Sequence, residues 1–387
     1  MEFDTDKIAA DCIKAIADKI QNLKTLNIIV AGKTGVGKST LINGVFREKM
    51  ADTGMGKPVT QYMRKIYKKG FPLNIYDTRG FELGKDAQKD VKKEVLGTIE
   101  KGLASKDINE TIHCIWYCIN TASNRVESEE IEWLKDFAEE NKSAQVPVII
   151  VLTQSFSKSK SAEMRNMILN ENLDVVQVVP VLAEDYVIDD EYVAKSYGLD
   201  VLIKVMTETL PDELLDTLQN VQKASLEAKK RHAQAAVATA TAAAFGEGFS
   251  PIPFSDCALL IPTQVAMIAS ITAIFGIEIN KSIITGFVSA TLGTGGATIV
   301  GKTIAANLLK LIPGAGTLAG GAISGATAGL LTTALGESYI LLMEAVFKGE
   351  INSSDINSKV GIEKMKGLFK KELKEVKKDK FVIFSKA

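Results

Sequence analysis

The sequence predicts an α/β domain with a mostly parallel sheet and helices on both faces, followed by an all-α hydrophobic domain. Three observations carry this. From Leu26 onward, apolar runs of strand length alternate with longer amphipathic stretches. At 26–41, LNIIVAGKTGVGKSTL sets an apolar run, a glycine-spaced loop and a helix start in direct succession. Past residue 256 charge almost vanishes, and 257–277, 282–301 and 311–336 contain no Asp, Glu, Lys or Arg.

In chain order, 1–25 holds an amphipathic helix over 3–24, with Ile8, Cys12, Ile16, Ile20 and Leu23 near one face. A helix placed before the first strand needs something to pack on, and a later helical region is the natural partner. The α/β domain spans 26–210. Its strands are expected at 26–31, 61–68, 72–77, 111–119, 146–153 and 175–182. Its helices are expected at 38–47, 87–103, 127–141, 161–171 and 199–210. The unbroken apolar run 146–152 suits a strand covered on both faces. The pair 61–68 and 72–77, joined by Lys69-Gly70-Phe71, reads as an antiparallel edge.

Pro211 suits the first position of a connecting helix over 211–245. GEGFSPIPFSD at 246–256 reads as a turn, opening a Gly-rich hydrophobic region over 246–350. There Gly316 and Gly320, then Gly321, Gly325 and Gly329, recur every fourth residue and would let two helices approach closely. Runs of that length without charge predict membrane contact ahead of a buried bundle, although Pro262 and Gln264 interrupt the first. The basic amphipathic tail, 351–387, places Ile362, Met365, Leu368, Phe369 and Val376 opposite many lysines. It would lie on an anionic membrane surface or dock on the protein itself.

Composition narrows the function. The 387 residues carry a net charge of −1, so no global field favours nucleic acid, and no specific nucleic-acid partner is expected. Mean hydropathy is +0.10, slightly apolar for a soluble chain. Cys12 and Cys257 stand alone, and Cys114 and Cys118 share a strand face. With two histidines in the chain, buried free thiols are a better reading than zinc. The start, MEFDTDKIAAD, lacks a basic segment before an apolar run, so the expectation is a cytoplasmic chain, peripheral or integral at the cytosolic face of a membrane.

The chemistry centres on Gly32-x-x-x-x-Gly37-Lys38-Ser39. Glycines let a loop turn its N–H groups inward on a polyphosphate, and the following helix N-terminus adds positive potential. Lys38 would reach the β- and γ-phosphates, and the Ser39 hydroxyl would hold Mg²⁺. Asp77-Thr78-Arg79-Gly80 closes an apolar strand. Asp77 would hold Mg²⁺ through water, and the Gly80 N–H would meet the γ-phosphate. Thr60, in MGKPVTQ, has the spacing of a threonine that binds the same metal.

The ordered set GKTGVGKST, GKPVT, DTRGF and VLTQ resembles the Era-like small GTPases of the TRAFAC class. FSPIPFSDCALLIPTQVAMIASITAIFGI resembles the opening of an uncharacterised hydrophobic domain found fused to them, so the two matches cover about 26–345. The organisation is also similar to immunity-related and dynamin-like GTPases. The resemblance implies a P-loop NTPase with a Ras-like G domain that binds GTP and GDP and uses Mg²⁺. It implies nucleotide contacts at Gly32, Thr34, Gly35, Val36, Gly37, Lys38, Ser39, Thr40, Asp77, Gly80, Thr153, Gln154 and Ala183. It implies metal contacts at Ser39, Thr60 and Asp77, with Lys38, Thr60 and Gly80 acting in catalysis. Other expected partners are membrane lipid and a second copy meeting it through the G domains.

Three positions depart from the family. The guanine-reading motif here is Thr153-Gln154-Ser155-Phe156, without the aspartate that binds guanine, a loss shared by some organelle-import GTPases. Phe81 stands where a water-positioning glutamine follows the switch glycine, which predicts slow hydrolysis. Gly35 replaces the asparagine of potassium-activated relatives. The leading expectation is a GTPase switch with a membrane-associated C-terminal domain. The alternatives are a dynamin-like membrane-remodelling enzyme and a nucleotide-binding scaffold with negligible hydrolysis. Glu127, Glu129 and Glu130 read as a helix start, His113 as a core residue, and Arg79 as an exposed loop residue.

Overall fold

The computed structural model describes residues 5–53, 55–79, 84–123, 126–189, 191–247, 256–277, 283–285, 287–288, 325–351, 367 and 371. They fall into two units, Leu23–Ala228 and a second drawn from Met1–Asn22 with Lys229–Ala387. The first unit holds a seven-stranded sheet. Its strands are β1 (Leu26–Ala31), β2 (Met55–Pro58), β3 (Met63–Tyr67), β4 (Leu73–Thr78), β5 (Cys114–Asn120), β6 (Val148–Thr153) and β7 (Gln177–Pro180). The order is β2-β3-β4-β1-β5-β6-β7, with β2, β3 and β4 antiparallel and the remaining pairs parallel.

Period-2 side-chain alternation explains why β1, β5 and β6 read as continuous apolar runs. Ile28, Val30, Trp116 and Val151 face α2 (Lys38–Val45), α7 (Leu199–Thr209) and α8 (Leu215–Val221). Ile29, Ile115, Ile150 and Leu152 face the opposite layer of α4 (Lys85–Ser105), α5 (Ser128–Asn141) and α6 (Lys158–Asn170). The end where β1 and β5 begin is polar instead. Asn27 is fully buried, donates to the Asn109 and Thr111 carbonyls at 2.8 Å and accepts from Asn74 at 2.7 Å. His113 Nδ1 accepts the Asn27 N–H at 3.0 Å, as a neutral ring does, and burial pushes the imidazole down to about 4. It is a core histidine. Cys12, Cys114 and Cys118 are buried free thiols, and burial pushes each up to about 12.

The structure corrects three expectations. The sheet's antiparallel edge is β2, outside the expected pair. Its sequence, MGKP, has low strand propensity, yet pairing with β3 supplies the ladder, and proline is tolerated on an edge. A short hairpin, β8 (Tyr186–Val187) with β9 (Val193–Ala194), follows β7. The connecting helix over 211–245 is interrupted: α8 stops at Val221 and α9 (Leu226–Glu247) begins after a gap of four residues. No glycine or proline marks the break. Gln222 is extended (φ −81°, ψ 151°) because it bridges Phe46, and the Lys223 N–H bonds the Val45 carbonyl at 2.8 Å. The Gln222 side chain then takes the Ser225 N–H at 2.8 Å, and Ser225 caps α9 through the Ala228 N–H.

The second unit is helical: α1 (Thr5–Gln21), the body of α9, α10 (Asp256–Phe275) and α11 (Gly325–Phe347). The expected face of α1 buries Ile8, Cys12 and Ile16, and α1 packs on α10. Pro262 lies inside α10. Buried hydroxyls join the helices: Thr272 to the Tyr339 hydroxyl at 2.7 Å and Thr241 to Thr333 at 2.9 Å. Lys229, fully buried, donates to the Ile274 and Phe275 carbonyls at 2.9 and 3.1 Å and so satisfies the end of α10. Most of 282–301, most of the turn at 246–256, Gly316, Gly320, Gly321 and nearly all of the tail lie outside the described residues. A Cβ added at Gly329 would meet Thr241 and Phe245 at ordinary distances of 3.6 and 3.7 Å. The tight crossing is at Gly336, where a Cβ would lie 2.5 Å from Val237 Cγ2.

Candidate nucleotide-binding site

The loop 32–37 leaves the C-terminal end of β1, a central strand buried along its whole length, and enters α2 at Lys38. In a parallel sheet this end, where the strands stop and helix N-termini begin, is where a ligand fits. Gly32 opens the loop at φ +135°, and a Cβ there would sit 2.5 Å from the Cys118 carbonyl oxygen, so only glycine lets the loop cross β5. Gly37 closes it at φ +96°, before the exposed Ser39 and half-buried Thr40 in the first turn of α2. Thr34 and Gly35 are exposed at the tip, and Val36 is buried beneath it. Lys38 Nζ folds back to donate to the Gly32 and Lys33 carbonyls at 2.7 and 2.9 Å, which holds its charge over the loop's concave side.

Asp77 pairs in register with Val30 at the end of β1, and its field joins that of Lys38. Arg64 approaches its Oδ2 at 3.5 Å, while Oδ1 is buried without a hydrogen-bond partner among the described residues. Burial raises the Asp77 carboxyl above the usual carboxylate range, although Lys38, Arg64 and Arg79 pull the other way. A buried, unpaired carboxylate oxygen beside a phosphate loop fits a hard divalent cation directly or through its water, so the residues present suit Mg²⁺.

Thr60 is placed differently from the expectation of a metal ligand. It sits in the β2–β3 turn and donates its hydroxyl to the Glu94 carboxylate of α4, which also takes the Tyr62 N–H at 3.0 Å. Nothing local in the sequence marks Glu94; it meets Thr60 only because α4 crosses the β2–β3 turn. Gly80 and Phe81 lie outside the described residues.

The segment after β6 is stitched onto the loop. The Thr153 hydroxyl donates to the Val36 carbonyl, and the Gln154 side-chain amide donates to the Gly35 carbonyl at 3.1 Å. Thr121, which the sequence reading missed, donates to the Thr153 and Gln154 carbonyls at 3.1 and 2.9 Å and fixes Gln154 at φ +51°. Ala183 is half-buried, and its carbonyl lies 3.1 Å from where a Gly44 Cβ would project from α2. Loop, Asp77, Thr153, Gln154 and Ala183 thus surround one end of the sheet, while Thr60 is held apart by Glu94.

Residues 27–154 match the family model described as 50S ribosome-binding GTPase, and 212–361 match a domain of unknown function, DUF697. GTPase Era of Pseudomonas fluorescens (strain Pf0-1) is 25% identical over 189 residues, 48% of this chain and 55% of that protein. Translocase of chloroplast 108 of Physcomitrium patens is 35% identical over 85 residues, 21% of this chain and 8% of that protein. The chain therefore spans about half the length of the first relative and under a tenth of the second. Cdc11 from Saccharomyces cerevisiae matches in structure with 17% identity and a TM-score of 0.27, covering 39% of this chain and 65% of that one.

Proposed function

We propose that this chain, an Era-like GTPase domain joined to a DUF697 helical domain, is a GTP-hydrolysing switch whose helical part meets lipid. The observation that carries the nucleotide half is Lys38 closed over the glycine loop, beside the buried, unpaired Asp77 Oδ1. In hydrolysis, water attacks the γ-phosphorus and the bond to the β–γ bridging oxygen breaks. GDP leaves with that electron pair, and the water's proton leaves with phosphate. Lys38 and the loop N–H groups neutralise the charge that develops on the phosphoryl oxygens. Mg²⁺, held by Ser39 and Asp77, would supply further neutralisation.

Thr60 and Glu94 give the switch its two positions. With Thr60 bonded to Glu94, the β2–β3 turn is held against α4; GTP would draw Thr60 away toward the metal. A hydrogen bond to a charged acceptor is worth about 1.5–3 kcal/mol. Glu94→Gln is therefore expected to raise affinity for GTP relative to GDP by roughly tenfold. Competition against a fluorescent GDP reads this, and an unchanged ratio would make the Thr60–Glu94 contact merely structural. Single-turnover phosphate release from GTP tests the function itself. Slow release is expected, far below the common enzyme value of about 10 s⁻¹; none at any concentration would leave a nucleotide-binding scaffold.

The lipid half rests on composition. Between Cys257 and Gly336 the only charged residues are Glu278, Lys281, Lys302 and Lys310. Residues 328–347 are long and apolar enough to cross a bilayer, with half of that window buried inside the protein. Flotation of the full chain with liposomes is expected to carry it to the lipid fraction. Recovery of all of it with the soluble fraction would remove membrane from the proposal. A second copy meeting it through the G domains is the protein partner proposed, to be read as a GTP-dependent rise in mass.

A further inference from the structure

The base-reading corner of a GTP site needs a hydrogen-bond acceptor for the purine 2-amino group, because guanine presents a donor there. In this chain that corner is aromatic. The Thr153 and Gln154 bonds to the Val36 and Gly35 carbonyls tie 153–156 to the phosphate loop, so a nucleotide with its phosphates in the loop lays its base along Gln154. Two residues on, Phe156 is half-buried, and its ring lies 4.4 Å from that of Tyr186, tilted by 50°. Tyr186 opens the β8–β9 hairpin and is itself 49% exposed, so one side of the pair is open.

Among the described residues, carboxylates close enough to replace that acceptor are few. Asp185, next to Tyr186, is already engaged: Lys195 bonds its Oδ2 at 2.8 Å, and the Ser196 N–H bonds its Oδ1 at 2.8 Å. The Ser155 hydroxyl is turned inward onto the Leu152 carbonyl at 2.8 Å. Glu184, beside Ala183, is an exposed neighbouring carboxylate. An apolar ring surface contributes stacking area whatever the substituent at purine C2, because every base has a π face. It cannot reward an amino group.

We propose that Phe156 and Tyr186 form an aromatic wall at the base edge, so that this site takes 6-oxopurine triphosphates without reading the 2-amino group. Hypoxanthine nucleotides then bind as guanine nucleotides do. The inference rests on the nucleotide-binding reading above and names the substrate class of that same site. A polar site that hydrogen-bonds a substrate group rejects the analogue lacking it; an apolar wall forfeits that discrimination.

The test is displacement of a fluorescent GDP from the nucleotide-stripped full chain by GTP, ITP and ATP. GTP and ITP are expected to compete within about twofold of each other. Phe156→Asp restores an acceptor and should give GTP at least a tenfold advantage over ITP, the value of one charge-assisted hydrogen bond. Tyr186→Ser removes half of the wall at an exposed position and should weaken GTP and ITP equally. Wild-type preference for GTP over ITP of tenfold or more would overturn the proposal and point to Glu184 as the reader, with the GTPase reading intact. A correctly folded Phe156→Asp variant with an unchanged GTP-to-ITP ratio would overturn it as well. If no triphosphate displaces the probe, the nucleotide-binding reading itself falls.

Discussion

Replacing Lys38 with alanine is expected to lower affinity for Mg·GTP and Mg·GDP at least a hundredfold while the fold stays intact. Among the described residues the ammonium donates to the Gly32 and Lys33 carbonyls of the loop it enters. Losing it exposes two carbonyls at a solvent-facing edge and creates no cavity in either face of the sheet. What disappears is the cation poised over the phosphates. Two charge-assisted contacts of about 1.5–3 kcal/mol each exceed the 2.8 kcal/mol that a hundredfold change requires. Ser39→Asn, at the first turn of α2, is expected to act in the same direction by displacing the metal ligand. Calorimetry decides: unchanged GTP and GDP binding in the Lys38→Ala protein would defeat the assignment of the phosphate loop.

The second large effect is expected far from that loop. Gly336 sits where α11 crosses α9 and α10, and a Cβ there would lie 2.5 and 2.9 Å from the two methyl groups of Val237 and 2.9 Å from Met267 Sδ. Met267 can yield, but a helical valine is held in one rotamer, so the helices themselves would have to separate. Gly336→Val therefore costs about 3 kcal/mol of the helical unit's stability. In a unit of this size that lowers its melting temperature by roughly 10 °C. Thermal melting followed by helical circular dichroism measures it, with GTP affinity as the control, since the nucleotide contacts proposed above all lie in the other unit. An unchanged melt would mean that these helices do not cross at Gly336 in solution, and the packed bundle would give way to a more open arrangement.

The same crossing bears on lipid. Tyr339 and Thr272 bury their hydroxyls against each other, and Gln264 reaches Thr332 at 3.3 Å. Polar groups that pair inside the bundle need no water as partner, so the packing of these helices does not by itself exclude lipid. This arrangement makes packing and lipid association compatible, where the charge-free runs set them against each other.

What the sequence determined by itself was everything whose cause lies within a few residues. Alternation of period 2 and 3.6 placed the six expected strands and five expected helices of 26–210 within a few residues of where they lie, because each strand's two buried faces must be written into its own text. The phosphate loop was legible for the same reason: glycine, lysine and serine act through a backbone path sixteen residues long. Even the partner of α1 could be inferred, since an amphipathic face needs cover.

Only the tertiary structure decided the rest, and each case is a contact between distant residues. Thr60 is bonded to Glu94, 34 positions away, a contact that nothing in its own motif announces. Gln222 leaves the helical path because Phe46 offers it a backbone bridge, overriding a stretch with no local breaker. Phe156 looked like a simple loss of an acceptor until Tyr186, from a hairpin with no sequence signal, proved to stand against it. The glycine repeat suggested close helix contact; among the described residues of these helices the tightest approach falls at Gly336, chosen by what Val237 and Met267 bring to the crossing. Periodicity and backbone freedom are properties of a short segment; which side chain meets which is fixed only once the segments have packed.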